Sequence, residues 1–309
     1  MTSPLSPTLA AAPSATPSRS GARRFVRHPL ARLGGALLLL LLLAALSAPI
    51  LSPAPHRFDF SFPQGLSTLG VPHAPGNGFP LGADTLGRDV WTRVLFGARL
   101  SLAVALCAML ASVLIGTTIG LLGGYFGGAT DRFLTRLTEI VVALPTVLLA
   151  ITLTLVLPDT WRDIGAFKTL NLDPRLALAI GFVTWTGIAR AVRGQVLSLR
   201  EREFVEAARA LGASNATILL RHILPNVWPT VITLATLAVA SNILLEAGLS
   251  YLGLGSPDVP SWGRMIADGQ AYFAAAPWIA LAPGVAIVLA VAAFNLLGNA
   301  LTEALETRR

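Results

Sequence analysis

Residues Glu201 to Asn226 read EREFVEAARALGASNATILLRHILPN, a charged first half with a glycine at 212 and a proline at 225, set between long apolar runs. The stretch reads as two short helices outside a membrane. Glu203 to Leu211 places Phe204, Ala208 and Leu211 at i, i+4 and i+7, which makes one apolar stripe. Gly212 supplies a left-handed stop, and Ser214 caps a second helix running through Leu224, which Pro225 ends. Ala207 and Ala208 have almost no side-chain bulk, so a partner surface can lie close to the backbone, while Arg200, Arg202 and Arg209 alternate with Glu201, Glu203 and Glu206. Such a helix suits docking. A solvated connector made of ordinary helix formers accounts for the same residues.

The rest of the chain decides what this loop connects. Of 309 residues, 54% are hydrophobic and 13% charged, about half the charged share of an ordinary soluble domain. That balance, with a mean hydropathy of +0.67, argues against a soluble globule and against disorder. A helix rising ~1.5 Å per residue needs about 20 residues to cross a ~30 Å hydrocarbon core. Six apolar runs of that order are present, at about Leu33–Leu51, Leu100–Leu122, Ile140–Leu157, Leu176–Leu197, Val231–Leu249 and Trp278–Leu301. The expected fold is therefore an all-α membrane protein with six transmembrane helices. Residues 1–32 form a disordered basic tail, 33–98 the first span and an outer segment, and 99–309 a five-helix core containing the loop 200–226. A cleaved signal peptide is the rival for the first span, since Ala45 to Ala48 is loosely A-x-A-like, but the long tail and Pro49 speak against it.

The net charge of +7 fits topology better than nucleic acid. An N-in, C-in arrangement places 15 of the 23 basic residues inside and leaves eight in outer loops. Trp228, Trp262 and Trp278 fall near the ends of the runs, where interfacial aromatics belong. Small residues recur every four positions at Ala108, Ser112, Gly116, Gly120, Gly124 and Gly128, a smooth ridge for close helix approach. Packing within the chain is favoured over a homodimer seam. Pro145 and Pro283 read as tolerable kinks inside spans. Glu246, Arg190 and Arg193 are expected near span ends, so no carboxylate or His relay for proton coupling stands at mid-depth.

No catalytic or metal site is expected. The single cysteine, Cys107, lies in an apolar run, and His28, His56, His73 and His222 show no ligand spacing. The only lysine, Lys168, is outside any Gly-x-x-x-x-Gly-Lys pattern, so the chain has no P-loop for ATP. From Asp84 to Arg99 two readings stand. One is a docking surface or gate. The other, preferred on the dipole-compatible placing of Asp84, Asp89, Arg93 and Arg99 and the stripe Leu86, Val90, Val94, is a surface helix against the bilayer.

Glu206-Ala207-Ala208, Gly212 and Leu224-Pro225, on a loop before the penultimate span, resemble the EAA motif of permease subunits of bacterial ATP-binding-cassette importers. His222 departs from the general pattern, but Arg221 to Asn226 is similar to the version in the peptide-importer branch. Pro80-Leu81-Gly82-Ala83-Asp84-Thr85-Leu86-Gly87-Arg88-Asp89-Val90, with Arg93, Gly97, Arg99 and Ser101, resembles the signature of the C-type permease of dipeptide, oligopeptide and nickel importers, Ala83 standing where Thr is usual. Tyr251 to Gly255 and Pro260 to Gly263 are similar to that family's last outer loop.

The resemblance implies a type I importer transmembrane domain in a bacterial inner membrane. Glu203, Glu206, Ala207, Ala208, Gly212, Leu224 and Pro225 would couple it to separate ATPase subunits. Asp84, Gly87, Arg88, Asp89, Arg93 and Arg99 would form a periplasmic signature. Its partners would be a second related permease, two ATPases that bind ATP and Mg, an extracytoplasmic substrate-binding protein, a di- or oligopeptide and membrane lipid. Nickel or another small solute is the alternative cargo. A self-contained channel or secondary transporter is the alternative of a different class, and an intramembrane enzyme would need paired catalytic groups that the sequence lacks.

Overall fold

The computed structural model describes residues 25–51, 63–76, 78–158, 160–161, 173–255 and 259–306, with side chains to residue 304. The expected tail through residue 24, Lys168, His56, Arg308 and Arg309 lie outside the described residues. In chain order the helices are α1 (Pro29–Leu46), α2 (Val90–Phe126), α3 (Gly128–Ala143), α4 (Thr146–Val156), α5 (Pro174–Leu199), α6 (Glu203–Ala210), α7 (Leu224–Tyr251), α8 (Trp262–Gln270) and α9 (Trp278–Glu306). No strand is formed among the described residues, only three isolated bridges between residues 66 and 89.

Local chemistry sets several of these limits. The Asp89 carboxylate caps α2 by accepting from the Thr92 N–H at 3.1 Å, and Asp173 caps α5 by accepting from the Arg175 N–H. Gly127, at φ +65°, closes α2 in a conformation that a side chain resists. Helices α1, α2, α5, α7 with its lead-in from Asn215, and α9 are long and apolar enough to cross a membrane. The third expected span differs. It is broken at Leu144–Pro145 into α3 and α4, which bend by 97°. Pro145 has no N–H to continue α3 and drives Leu144 to extended ψ, so the residue expected to kink a span instead ends a helix.

The helix-period ridge on α2 faces α5. A Cβ on Gly116 would lie 2.7 Å from the Trp185 carbonyl oxygen, one on Gly120 2.7 Å from that of Ala189, and one on Gly124 2.8 Å from the Val196 Cβ. On the opposite side of the contact, a Cβ on Gly181 would meet the Ala108 carbonyl at 2.9 Å. The ridge is thus an intrachain seam, where close backbones gain dispersion contacts that lipid does not supply. Gly120→Val forces the pair apart, an overpacking cost of about 1–3 kcal/mol. The thermal midpoint of the purified protein is expected to fall by about 2–10 °C. Gly187→Val, on the open face of α5 with nothing within 4 Å of its Cβ, should leave the midpoint nearly unchanged.

Helix α8 was not foreseen. Its first residue, Trp262, is fully buried rather than interfacial: the Trp262 N–H donates to Ser101 Oγ at 3.3 Å and the indole N–H to the Val94 carbonyl at 3.0 Å. Gly263 lies so close to α7 that a Cβ would approach the Ala247 carbonyl oxygen to 2.1 Å. Glu246, expected near a span end, is in the last two turns of α7 and fully buried beneath α8, accepting from the Ser250 hydroxyl at 2.7 Å.

Candidate functional site

Two regions at opposite ends of the α2 helix hold the residues singled out by the sequence. At one end is α6. Its buried residues are Val205 and Ala208, not the stripe of Phe204, Ala208 and Leu211 expected from the periodicity. Phe204 is 40% exposed and Leu211 88%, so two of the three apolar residues face away from the bundle. Glu203, Glu206 and Ala207 share the exposed side. The helix stops as expected. Gly212 has φ +81°, its N–H donates to the Arg209 carbonyl and the Ala213 N–H to that of Ala208, so the last carbonyls of α6 are satisfied by a left-handed glycine.

The second half of this loop is not a separate helix. Ser214 does cap it, accepting from the Thr217 N–H at 3.3 Å, but after Asn215–Thr217 the chain passes through one wide turn, Ile218–Ile223, with π-type hydrogen bonding, and continues into α7. Pro225 therefore begins α7 instead of ending its predecessor. Its missing N–H and ring are tolerated in the first turn of a helix, and the wide turn relieves the crowding before it. Leu224 is half-buried and Pro225 exposed, a separate place from Glu206. Ties run from this region into the spans. The Tyr125 hydroxyl donates to Asn215 Oδ1 at 2.8 Å, Arg200 donates to the Gly124 carbonyl at 3.2 Å, and Arg193 of α5 grips Asp131 of α3, with Nη2 at 2.7 Å.

At the other end, the segment that begins at Asp84 is a folded turn rather than a surface helix. Asp84, fully buried, accepts from the N–H groups of Leu86 and Arg88, each at 2.9 Å, and Gly87 completes the turn at φ +75°. The carboxylate is also gripped by Arg88 Nε at 2.6 Å and by Arg93 Nη1. Arg93, 3% exposed and on the first turn of α2, reaches across with Nη2 to Asp268 of α8 at 3.0 Å, and Arg264 contacts the same carboxylate at 3.3 Å. Burial and the adjacent Arg93 guanidinium pull the Arg88 pKa below its ordinary value, against the raising influence of Asp84 and Asp268. The surface-helix reading fails because the charges are buried and paired. Val90 is buried, and Leu86 is exposed on the turn.

Asp84, Gly87, Arg88, Asp89 and Arg93 are thus brought together, while Arg99 stands apart, exposed, with its guanidinium 5.9 Å from the Phe96 ring centre. Asp268 was missed. Its one signal in the sequence is the i, i+4 spacing from Arg264 in a segment with few charges. Among the described residues no group of three or more His, Cys, Asp or Glu is placed to hold a metal.

Residues 116–309 match the family described as the binding-protein-dependent transport system inner membrane component, and residues 16–65 match the N-terminal TM domain of oligopeptide transport permease C. The chain is 36% identical over 296 residues to the glutathione transport system permease protein GsiD of Pectobacterium atrosepticum, covering 95% of this chain and 92% of that one. It is 35% identical over 294 residues to the dipeptide transport system permease protein DppC of Alkalihalophilus pseudofirmus, covering 95% and 90%. It is 35% identical over 286 residues to the oligopeptide transport system permease protein OppC of Bacillus subtilis, covering 92% and 88%. Among solved structures, the MetNI methionine ABC transporter in inward-facing conformations aligns at TM-score 0.47 and 20% identity, over 64% of this chain and 89% of that one.

Proposed function

The chain belongs to the family of binding-protein-dependent transport system inner membrane components, and from that premise we propose that it is the membrane permease subunit of an ATP-driven importer of di- or oligopeptides. One observation carries the choice of solute: the relatives that match over nearly the whole chain are named for glutathione, dipeptide and oligopeptide transport, all of them peptides.

In this reading the loop 200–226 is cytoplasmic, with the N- and C-termini on the same side. Separate ATPase subunits, which bind ATP and Mg, receive α6. Glu203 and Glu206 meet the ATPase surface, Ala207 permits close approach, and the exposed Phe204 and Leu211 are covered by the partner. Gly212 fixes the angle at which α6 leaves the loop, while Leu224 and Pro225 start the span that the loop drives. ATP favours the closed ATPase pair, so the two coupling helices move together and the spans rock between two arrangements. A second, related permease supplies the other half of the pathway, and an extracytoplasmic binding protein delivers peptide to the end marked by Asp84, Arg88, Asp89, Arg93 and Asp268. That buried cluster holds α8 on α2 and gives the delivery face a fixed shape.

The test is uptake by vesicles containing the complete importer with ATP inside. Labelled dipeptide is expected to accumulate only with ATP and the binding protein present. Accumulation of a metal cation or sugar in place of peptide would overturn the choice of solute, and uptake that persists without ATP on an ion gradient would overturn the importer reading.

A further inference from the structure

The 97° elbow between α3 and α4 leaves a cavity of about 440 Å³ between α2, α3 and α5, within the usual ~300–1,000 Å³ range of small-ligand sites. It lies toward the end of the bundle that carries the coupling loop, since its α2 residues, Ile119 and Gly120, are close to Tyr125, which is tied to Asn215. Most of the lining is apolar, from Leu134, Val142 and Ala189 among others.

Three charged side chains stand in this apolar wall, Glu139 on α3 and Arg190 and Arg193 on α5. Arg190, on α5, is exposed and has no hydrogen-bond or ion-pair partner among the described residues. It is about 13 Å before the end of its helix and about 24 Å from its start, in the half toward the loop 200–226. A cation lining a mostly apolar cavity is stabilised by water or by an anionic ligand. Glu139, on α3, is 58% exposed, and its one partner is Arg136 at 3.0 Å, which is itself 78% exposed. A surface pair of that kind is weak and exchanges readily. The neighbouring Arg193 is already neutralised by Asp131, and the Thr138 hydroxyl is spent on the Leu134 carbonyl at 2.8 Å. The cavity thus presents one free cation, one loosely held carboxylate and an apolar wall between them.

We propose that this cavity is a way station for the transported peptide, Arg190 receiving its terminal carboxylate and Glu139 its terminal ammonium, with the peptide's side chains against the apolar lining. A free short peptide is the solute class whose ends carry these opposite charges whatever its side chains, so two such groups give affinity for the class without selecting a sequence. The assignment rests on the peptide reading above and deepens it.

The test uses vesicles holding the complete importer, made either from phosphatidylcholine alone or with phosphatidylglycerol added, and reads dipeptide taken up per ATP hydrolysed. Arg190→Gln is expected to lower that ratio at least tenfold, Glu139→Gln severalfold, and Arg190→Lys to restore most of it, in both lipid mixtures. A ratio equal to wild type in Arg190→Gln overturns the site. So does a defect confined to vesicles with phosphatidylglycerol, which would make Arg190 a seat for an anionic lipid headgroup. If the wild-type importer hydrolyses ATP but moves no peptide in either mixture, the peptide reading falls and the site with it. That outcome is distinct from failure of the site alone, in which wild type transports and the variants match it.

Discussion

Replacing Gly212 by valine is expected to abolish peptide uptake while leaving the amount of folded protein in the membrane unchanged. Gly212 sits at φ +81° and closes α6 with two hydrogen bonds to its last turn. A β-branched residue resists that region, at a cost on the order of 1–3 kcal/mol, enough to displace the turn in most molecules. Crowding plays no part, since nothing lies within 4 Å of a Cβ built there. The effect is therefore one of backbone direction alone: α6 leaves the loop at another angle and misses its partner. Gly212→Asn separates the causes, because asparagine tolerates the left-handed region, and it should retain much of the uptake. Binding of the ATPase subunits, measured by copurification, should fall with uptake in the valine variant. Normal uptake in Gly212→Val would remove the turn from the mechanism.

Arg93→Ala should give the largest loss of stability. The Arg93 side chain is 3% exposed and joins the fully buried Asp84 to Asp268, so its removal leaves two carboxylates with fewer partners in a dry place. Breaking one member out of a buried pair costs about 3–5 kcal/mol. The thermal midpoint of the purified protein is expected to drop by about 6–20 °C. Arg264→Ala touches the same Asp268 carboxylate, but the side chain is 40% exposed, and its loss should cost under ~1 kcal/mol. Equal, small shifts in the two variants would mean that the cluster of Asp84, Arg93 and Asp268 does not hold α8 in place.

How much of this was written in the sequence differs by feature. The spans were legible because lipid demands a long apolar run, and the ridge at Gly116, Gly120 and Gly124 because four-residue spacing puts small residues on one helix face. The stop at Gly212 was legible for a similar reason: its signal is local. What escaped depended on distant partners. Pro145 ends a helix instead of bending one, and the residue type alone allows either outcome. The charges from Asp84 to Arg93 fitted a dipole argument until Asp268, 175 residues beyond Arg93, was seen to complete them. On α6 two residues of the periodic stripe, Phe204 and Leu211, point outward and the third, Ala208, is buried. The exposed side is the one proposed to meet the ATPase, while Val205 and Ala208 are buried against this chain. Periodicity finds an apolar face without saying whose core it enters.

As proposed above, the chain is one subunit of an ATP-driven assembly and draws its energy through α6 from separate polypeptides. Isolation of the tagged full chain from its own membranes in mild detergent, with mass spectrometry of everything retained and an ATPase assay on the complex, tests it most directly. Recovery of a second permease and of ATPase subunits is expected, with nucleotide hydrolysis lost when Gly212→Val is the tagged chain. An intact chain isolated repeatedly alone, still able to pass solute in vesicles, would contradict it.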